Sequence, residues 1–137
     1  MKREDVLYIE YRLRRGRDTL DEAAELLRAG YLYGAVNRLY YACFHAVSAL
    51  LFAEGQVSSK HSGVRSLFNQ HWIRTGRLSP EMGQLYRSLF DLRQDSDYGA
   101  IVSFERLDVE HWFDDASHFV QTVVEKARQM IGPIPEE

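Results

Sequence analysis

No proline occurs before residue 80, and the other two, Pro133 and Pro135, fall in the last five residues. Proline removes a backbone donor and clashes with the preceding helical turn. Its distribution here leaves nearly the whole chain free to form long helices. The apolar residues recur at spacings of three, four and seven, as one face of a helix requires. The spacing predicts a first helix over about 4–29, with Leu13, Leu20, Ala24 and Leu27 on its inner stripe. Gly16 is a soft spot in it, and Gly30 closes it from the usual position just past a helix C-terminus. A second helix over about 33–53 carries Ala35, Leu39, Ala42, Ala46 and Ala49, small residues that let a neighbour approach closely. A third is expected over about 62–74, with Val64, Leu67, Phe68, His71 and Trp72 inside. Ser79-Pro80-Glu81 is a helix start: a capping serine, a proline at the first helical position, then an acid. The fourth helix, about 80–95, presents Met82, Leu85, Leu89 and Leu92. The fifth, about 107–130, presents Val109, Trp112, Ala116, Phe119, Val123 and Ala127. The one β-like run, Ala100-Ile101-Val102, is too short to build a sheet. The expectation is an all-α, five-helix up-and-down bundle. It forms a single domain over 1–131 with a tail at 132–137. At 137 residues and 45% apolar content, one core suffices.

The single cysteine, Cys43, rules out an intramolecular disulfide, which fits a reducing compartment. It is read as a small core residue. No apolar leader follows Met1 and no stretch of about 18 apolar residues occurs. The expected location is therefore cytoplasmic, without membrane contact. The net charge is −3 and the pI near 6.0. General nucleic-acid binders draw their affinity from an excess of positive charge, so any RNA contact here has to be a local patch. The densest basic cluster, Arg12, Arg14, Arg15 and Arg17, reads first as a solvated helix surface.

Three constellations carry chemistry. In the second helix Asn37, Arg38, Tyr40, Tyr41, Phe44 and His45 crowd into nine residues. Arg38, Tyr41 and His45, at i, i+3 and i+7, share a face. A cation, a phenol and an imidazole together suit an anion or a nucleotide, and half-buried packing tyrosines are the plain alternative. Lys60 and His61 lie just before the third helix, where its dipole adds to their charge; the alternative is a polar loop. Arg93 and Asp97, four apart, form either part of a site or a simple helix-end ion pair. No histidine or cysteine spacing matches a zinc motif, so no metal and no cofactor is expected.

The segments 35–45 (AVNRLYYACFH), 60–64 (KHSGV) and 93–99 (RQDSDYG) resemble the HEPN domain family, and the resemblance extends from about Arg17 to Met130. It implies a HEPN-like helical bundle that commonly forms a homodimer. It also implies a partner, a minimal nucleotidyltransferase, in toxin–antitoxin pairs where the HEPN protein is a metal-independent ribonuclease toxin. The nucleotidyltransferase restrains it by binding or by adding AMP to a tyrosine near the active site. The family's ribonuclease motif is an arginine followed, after four to six intervening residues, by a histidine. Arg93 matches the arginine, while Tyr98, Gly99 and Ala100 stand where the histidine belongs. Arg93, Asp97 and Tyr98 are therefore the candidate catalytic residues, with Tyr98 also the expected AMP acceptor. Asn37, Arg38, Tyr41, His45, Lys60 and His61 are the candidate RNA- or nucleotide-binding residues. His45 or His61 would replace the missing histidine if the fold brings one beside Arg93. A catalytically inactive dimerisation module is the alternative. Tyr31, Tyr33, Tyr40, Phe90 and Phe104, left off the stripes, are candidate interface aromatics. A dimer built on the second and fourth helices would bring two copies of Arg93 near each other.

Overall fold

The computed structural model describes residues 1–97 and 103–136. They form α1 (Arg3–Arg28), α2 (Leu32–Ala53), α3 (His61–Phe68), α4 (Pro80–Asp97) and α5 (Arg106–Ile131), with a π-helical turn, Asn69–Ile73, continuing α3. Among the described residues there is no strand. The extended run expected at Ala100–Val102 lies outside them.

The centre of the bundle is α2. Ala35, Leu39, Ala42, Ala46 and Ala49 are buried as expected, and so are Val36, Tyr40, Cys43, Val47, Leu50 and Leu51. A helix buried on most of its circumference needs partners on several sides, and α2 packs against α1, α3, α4 and α5.

The α1 and α4 stripes differ most from expectation, and Leu67 of α3 and Trp112 of α5 are also only half-buried. In α1 the buried positions are Val6, Ile9, Leu13, Gly16, Thr19, Ala23 and Leu27, while Leu20 and Ala24 are only half-buried. Gly16 causes this rotation. A Cβ there would stand 3.1 Å from the Ala42 carbonyl oxygen and 3.5 Å from the Ala46 nitrogen. The expected soft spot is the point of closest approach between α1 and α2, reachable only because glycine has no side chain. In α4, Tyr86, Leu89 and Phe90 are buried, whereas Met82, Leu85 and Leu92 stay at the margin.

The candidate interface aromatics divide. Tyr40 is fully buried and Phe90 nearly so. These two are core residues, because together with Tyr86 they fill the space between α2 and α4. Tyr31 and Tyr33 are exposed. Phe104 is half-buried, edge-on to Tyr33 and Trp112.

The third helix was expected as one regular piece. Its wider last turn buries Trp72, and Arg77 covers that indole from 3.5 Å. A Ser79 Oγ cap accepts the Met82 N–H at 3.4 Å and starts α4. No described helix is long and apolar enough to cross a membrane.

Candidate functional site

The face of α2 carrying Tyr40, Tyr41 and Phe44 meets the start of α3 and the last turns of α4. Here His61 and Arg93, separated by 32 positions in sequence, reach the same rings. The Arg93 guanidinium lies 5.3 Å from the Tyr40 ring centre and 5.5 Å from that of Tyr41. The His61 ring stacks on Phe44 at 4.4 Å, nearly parallel at 11°. Its Nδ1 is 2.7 Å from the Tyr40 hydroxyl.

Tyr40 was not among the expected site residues. Burial pushes its phenol up to about 12, against smaller opposing effects from Tyr86 and from the Arg93 and Arg65 charges. The hydroxyl therefore keeps its proton at neutral pH. Donation of that proton to Nδ1 of a neutral imidazole satisfies both groups and leaves the His61 proton on Nε2. The His61 pKa is lowered, first by burial and then by the Arg93 charge.

The loop before α3 delivers His61. The Ser58 hydroxyl accepts the Lys60 N–H at 3.2 Å and lies where a Cβ on residue 63 would be. Gly63 therefore lets the loop fold down on the first turn of α3. Lys60 is exposed beside His61.

Arg93 has two relations at once. Asp97 Oδ2 lies 3.0 Å from its Nε, the ion pair expected from the spacing. The Nε–H is buried and not directed at that oxygen, and among the described residues it has no in-line acceptor. The Arg93 side chain is 16% exposed, enough to meet a ligand from a poorly hydrated position. Tyr98 lies outside the described residues.

The rest of the α2 face forms a second cluster against α1. Asn37 Oδ1 accepts from both Nε and Nη2 of Arg38, at 3.2 and 2.9 Å, so Asn37 orients that guanidinium. Arg38 sits 5.1 Å from the Tyr41 ring centre. His45 goes to α1 rather than to Arg93, its Nδ1 2.7 Å from Arg12 Nη1. Arginine can only donate, so His45 presents a bare Nδ1. Burial and then the charges of Arg12, Arg15 and Arg38 hold its pKa down at about 4. Of the two histidines considered as replacements, His61 reaches the Arg93 site and His45 does not. Arg12, read in the sequence as solvated, lies against the Tyr8 and Phe44 rings.

Cys43 is fully buried and its thiol is pushed well up by desolvation, as a core residue requires. Among the described residues no group of three His, Cys, Asp or Glu side chains is placed to hold a metal ion.

A family model described as HEPN domain matches residues 9–127. A protein of Thermotoga maritima named UPF0332 protein is 45% identical over 115 residues, 84% of this chain and 87% of its own length. Two proteins of Methanocaldococcus jannaschii, named "Putative toxin MJ0142" and "Putative toxin MJ0605", are 28% and 29% identical. They cover 75% and 80% of this chain, and 70% and 81% of their own lengths. The family match runs from Ile9 on the buried stripe of α1 to Ala127, the last buried residue of α5, and a match that takes in all of the buried core but Val6 means that this chain belongs to the HEPN domain family.

Proposed function

We propose that the chain is a toxin-type HEPN protein that binds RNA on the face shared by α2, α3 and α4, and that it pairs with a minimal nucleotidyltransferase. The observation that carries this reading is the meeting of Arg93 and His61 on one buried tyrosine. The names of the two archaeal relatives agree with it. Arg93 would hold the scissile phosphate through its planar fork, and His61 would stand in for the histidine absent from positions 98–100. In its resting tautomer His61 offers an Nε2–H to the phosphate. Exchange of the ring proton through water from Nε2 to Nδ1, with the Tyr40 hydroxyl then accepting from Nδ1–H, leaves Nε2 bare to take a proton from the ribose 2′-hydroxyl. Attack by that oxygen on phosphorus breaks the bond to the 5′-oxygen, which takes the proton from the His61 imidazolium, giving a 2′,3′-cyclic phosphate and a 5′-hydroxyl end.

The test is RNA cleavage with EDTA present, after intact mass has excluded an AMP adduct. Cleavage by the parent, lost at least a hundredfold in Arg93→Ala and in His61→Gln at equal helicity, is the expected result. Cleavage that survives His61→Gln would remove His61 from the chemistry. AMP transfer from the nucleotidyltransferase should add one adenylyl mass to the parent and none to Tyr98→Phe.

The Arg93–Asp97 ion pair favours a second reading, a catalytically inactive dimerisation module, because it already gives the arginine a counterion. That reading predicts a homodimer in sedimentation and no RNA binding by either parent or variants.

A further inference from the structure

We propose a second phosphate-binding position at Arg12, Arg15 and Arg38 around His45, one aromatic ring away from the Arg93–His61 site, so that the protein takes a single strand of RNA rather than a mononucleotide. This rests on the RNA reading above and specifies its ligand.

The first support is charge. The charges acting on His45 are three guanidiniums. Arg15 and Arg38 share one carboxylate, Glu22, at 3.7 and 3.4 Å. Arg12 has no carboxylate partner among the described residues; its bonded neighbour is the neutral His45. Three cations against one acid leave an excess that a bound anion would neutralise.

The second support is continuity. Tyr41 lies against Arg38 on one cluster and Arg93 on the other, at 5.1 and 5.5 Å. Phe44 repeats the arrangement, with Arg12 at 5.6 Å and His61 stacked at 4.4 Å. Each ring thus touches a group of both clusters: Tyr41 an arginine of each, Phe44 the Arg12 cation on one side and the neutral His61 ring on the other. Alternating cations and aromatic faces are how proteins hold single-stranded nucleic acid, phosphates on the cations and bases on the rings. The track has an end: beyond Arg38 the surface turns acidic, with Asp18, Asp21, Glu22 and Glu25 lining one open cleft. A strand following the positive groups therefore leaves toward Arg12.

The probe is a fluorescent 2′-O-methyl hexauridylate, which cannot be cleaved, titrated by anisotropy at several salt concentrations. Uridine monophosphate and inorganic phosphate serve as competitors. We expect Arg12→Gln and Arg15→Gln each to weaken hexamer binding about tenfold and to lower the log–log salt slope by about 0.7. Arg14→Gln, exposed elsewhere on α1, should bind like the parent. Arg15→Gln covers the case in which Arg12→Gln fails to fold. Tight hexamer binding by the parent, lost in Arg93→Ala but unchanged in affinity and slope in both variants, would overturn the second position while leaving the RNA site standing. Monophosphate or inorganic phosphate competing as well as the hexamer would overturn it too, since one anion would then fill the site. Failure of the parent to bind the hexamer would overturn the RNA reading itself.

Discussion

The two sides of α2 are built from opposite materials. Toward α1 it offers Ala42 and Ala46, so small that Gly16 comes into direct contact with backbone atoms. Toward α3 and α4 it offers Tyr40, Tyr41 and Phe44, whose rings gather His61 and Arg93. On the first side nothing can grow without moving a helix. On the second, packing and placement of the polar groups are the same event, because the core residue Tyr40 also bonds the candidate acid–base group. Backbone proximity sets the packing on one side, and ring placement sets the candidate site on the other.

The hardest test of that contrast is Gly16→Leu. Its side chain has to displace Ala42 or separate α1 from α2, and a loss of about 3 kcal/mol is expected by urea denaturation. A loss below about 1 kcal/mol would mean that the close contact does not set the spacing of the two helices.

Next in size is acid. The His45 pKa is lowered on folding, so the unfolded chain binds the extra proton. The stabilisation is complete above the ordinary histidine pKa near 6.5 and is lost as pH falls from there toward about 4. The expected cost by pH 4.5 is about 1–2 kcal/mol, less than the full shift implies because solvent screens a partly exposed ring. Arg12→Gln should raise the His45 pKa and flatten this dependence; a midpoint unchanged in NMR titration would contradict the pairing.

Tyr40→Phe keeps the ring and removes the hydroxyl. About 1 kcal/mol should be lost, and the His61 nitrogen-15 shifts should change from a single Nε2–H tautomer to a mixture. A pure Nε2–H tautomer in the variant would show that Tyr40 does not orient His61. Smallest in stability is Arg93→Ala, at about 0.5 kcal/mol by thermal melting, although it should cost at least tenfold in RNA binding. A large loss of stability from this change would place Arg93 on the structural side of the comparison.

Much of the bundle was legible in the sequence. In α2 every expected stripe residue is buried, and in α5 all but Trp112 are, because aliphatic and small side chains are sorted by hydropathy alone. In α4 Tyr86 and Phe90 displaced Met82 and Leu85 from the interior, since large rings go where a neighbouring helix leaves room. That room depends on the register between helices, which spacing along one helix does not encode. The same limit hid the meeting of His61 with Arg93. The grouping of Arg38, Tyr41 and His45 on one face needed only the helical period and was readable. Arg12 was misread, although a signal existed: Tyr8, Arg12 and Arg15, at i, i+4 and i+7, run beside the buried Ile9, Leu13 and Gly16. Arginine on the border of an apolar stripe can bury its stem and guanidinium face against rings.

The positive track lies on a chain whose net charge is −3. At physiological salt, fields fade over about 8 Å, so a distant polyanion meets a molecule with no long-range attraction to offer. The encounter rate should then be set by unaided diffusion and orientation, near about 10⁵–10⁶ M⁻¹s⁻¹, with ionic strength acting mainly on departure. A protein arranged in this way does not sweep RNA from its surroundings. On the RNA reading proposed above, it would retain the strands that collide in the right place, and a partner covering that one face would silence it without having to outrun electrostatic capture.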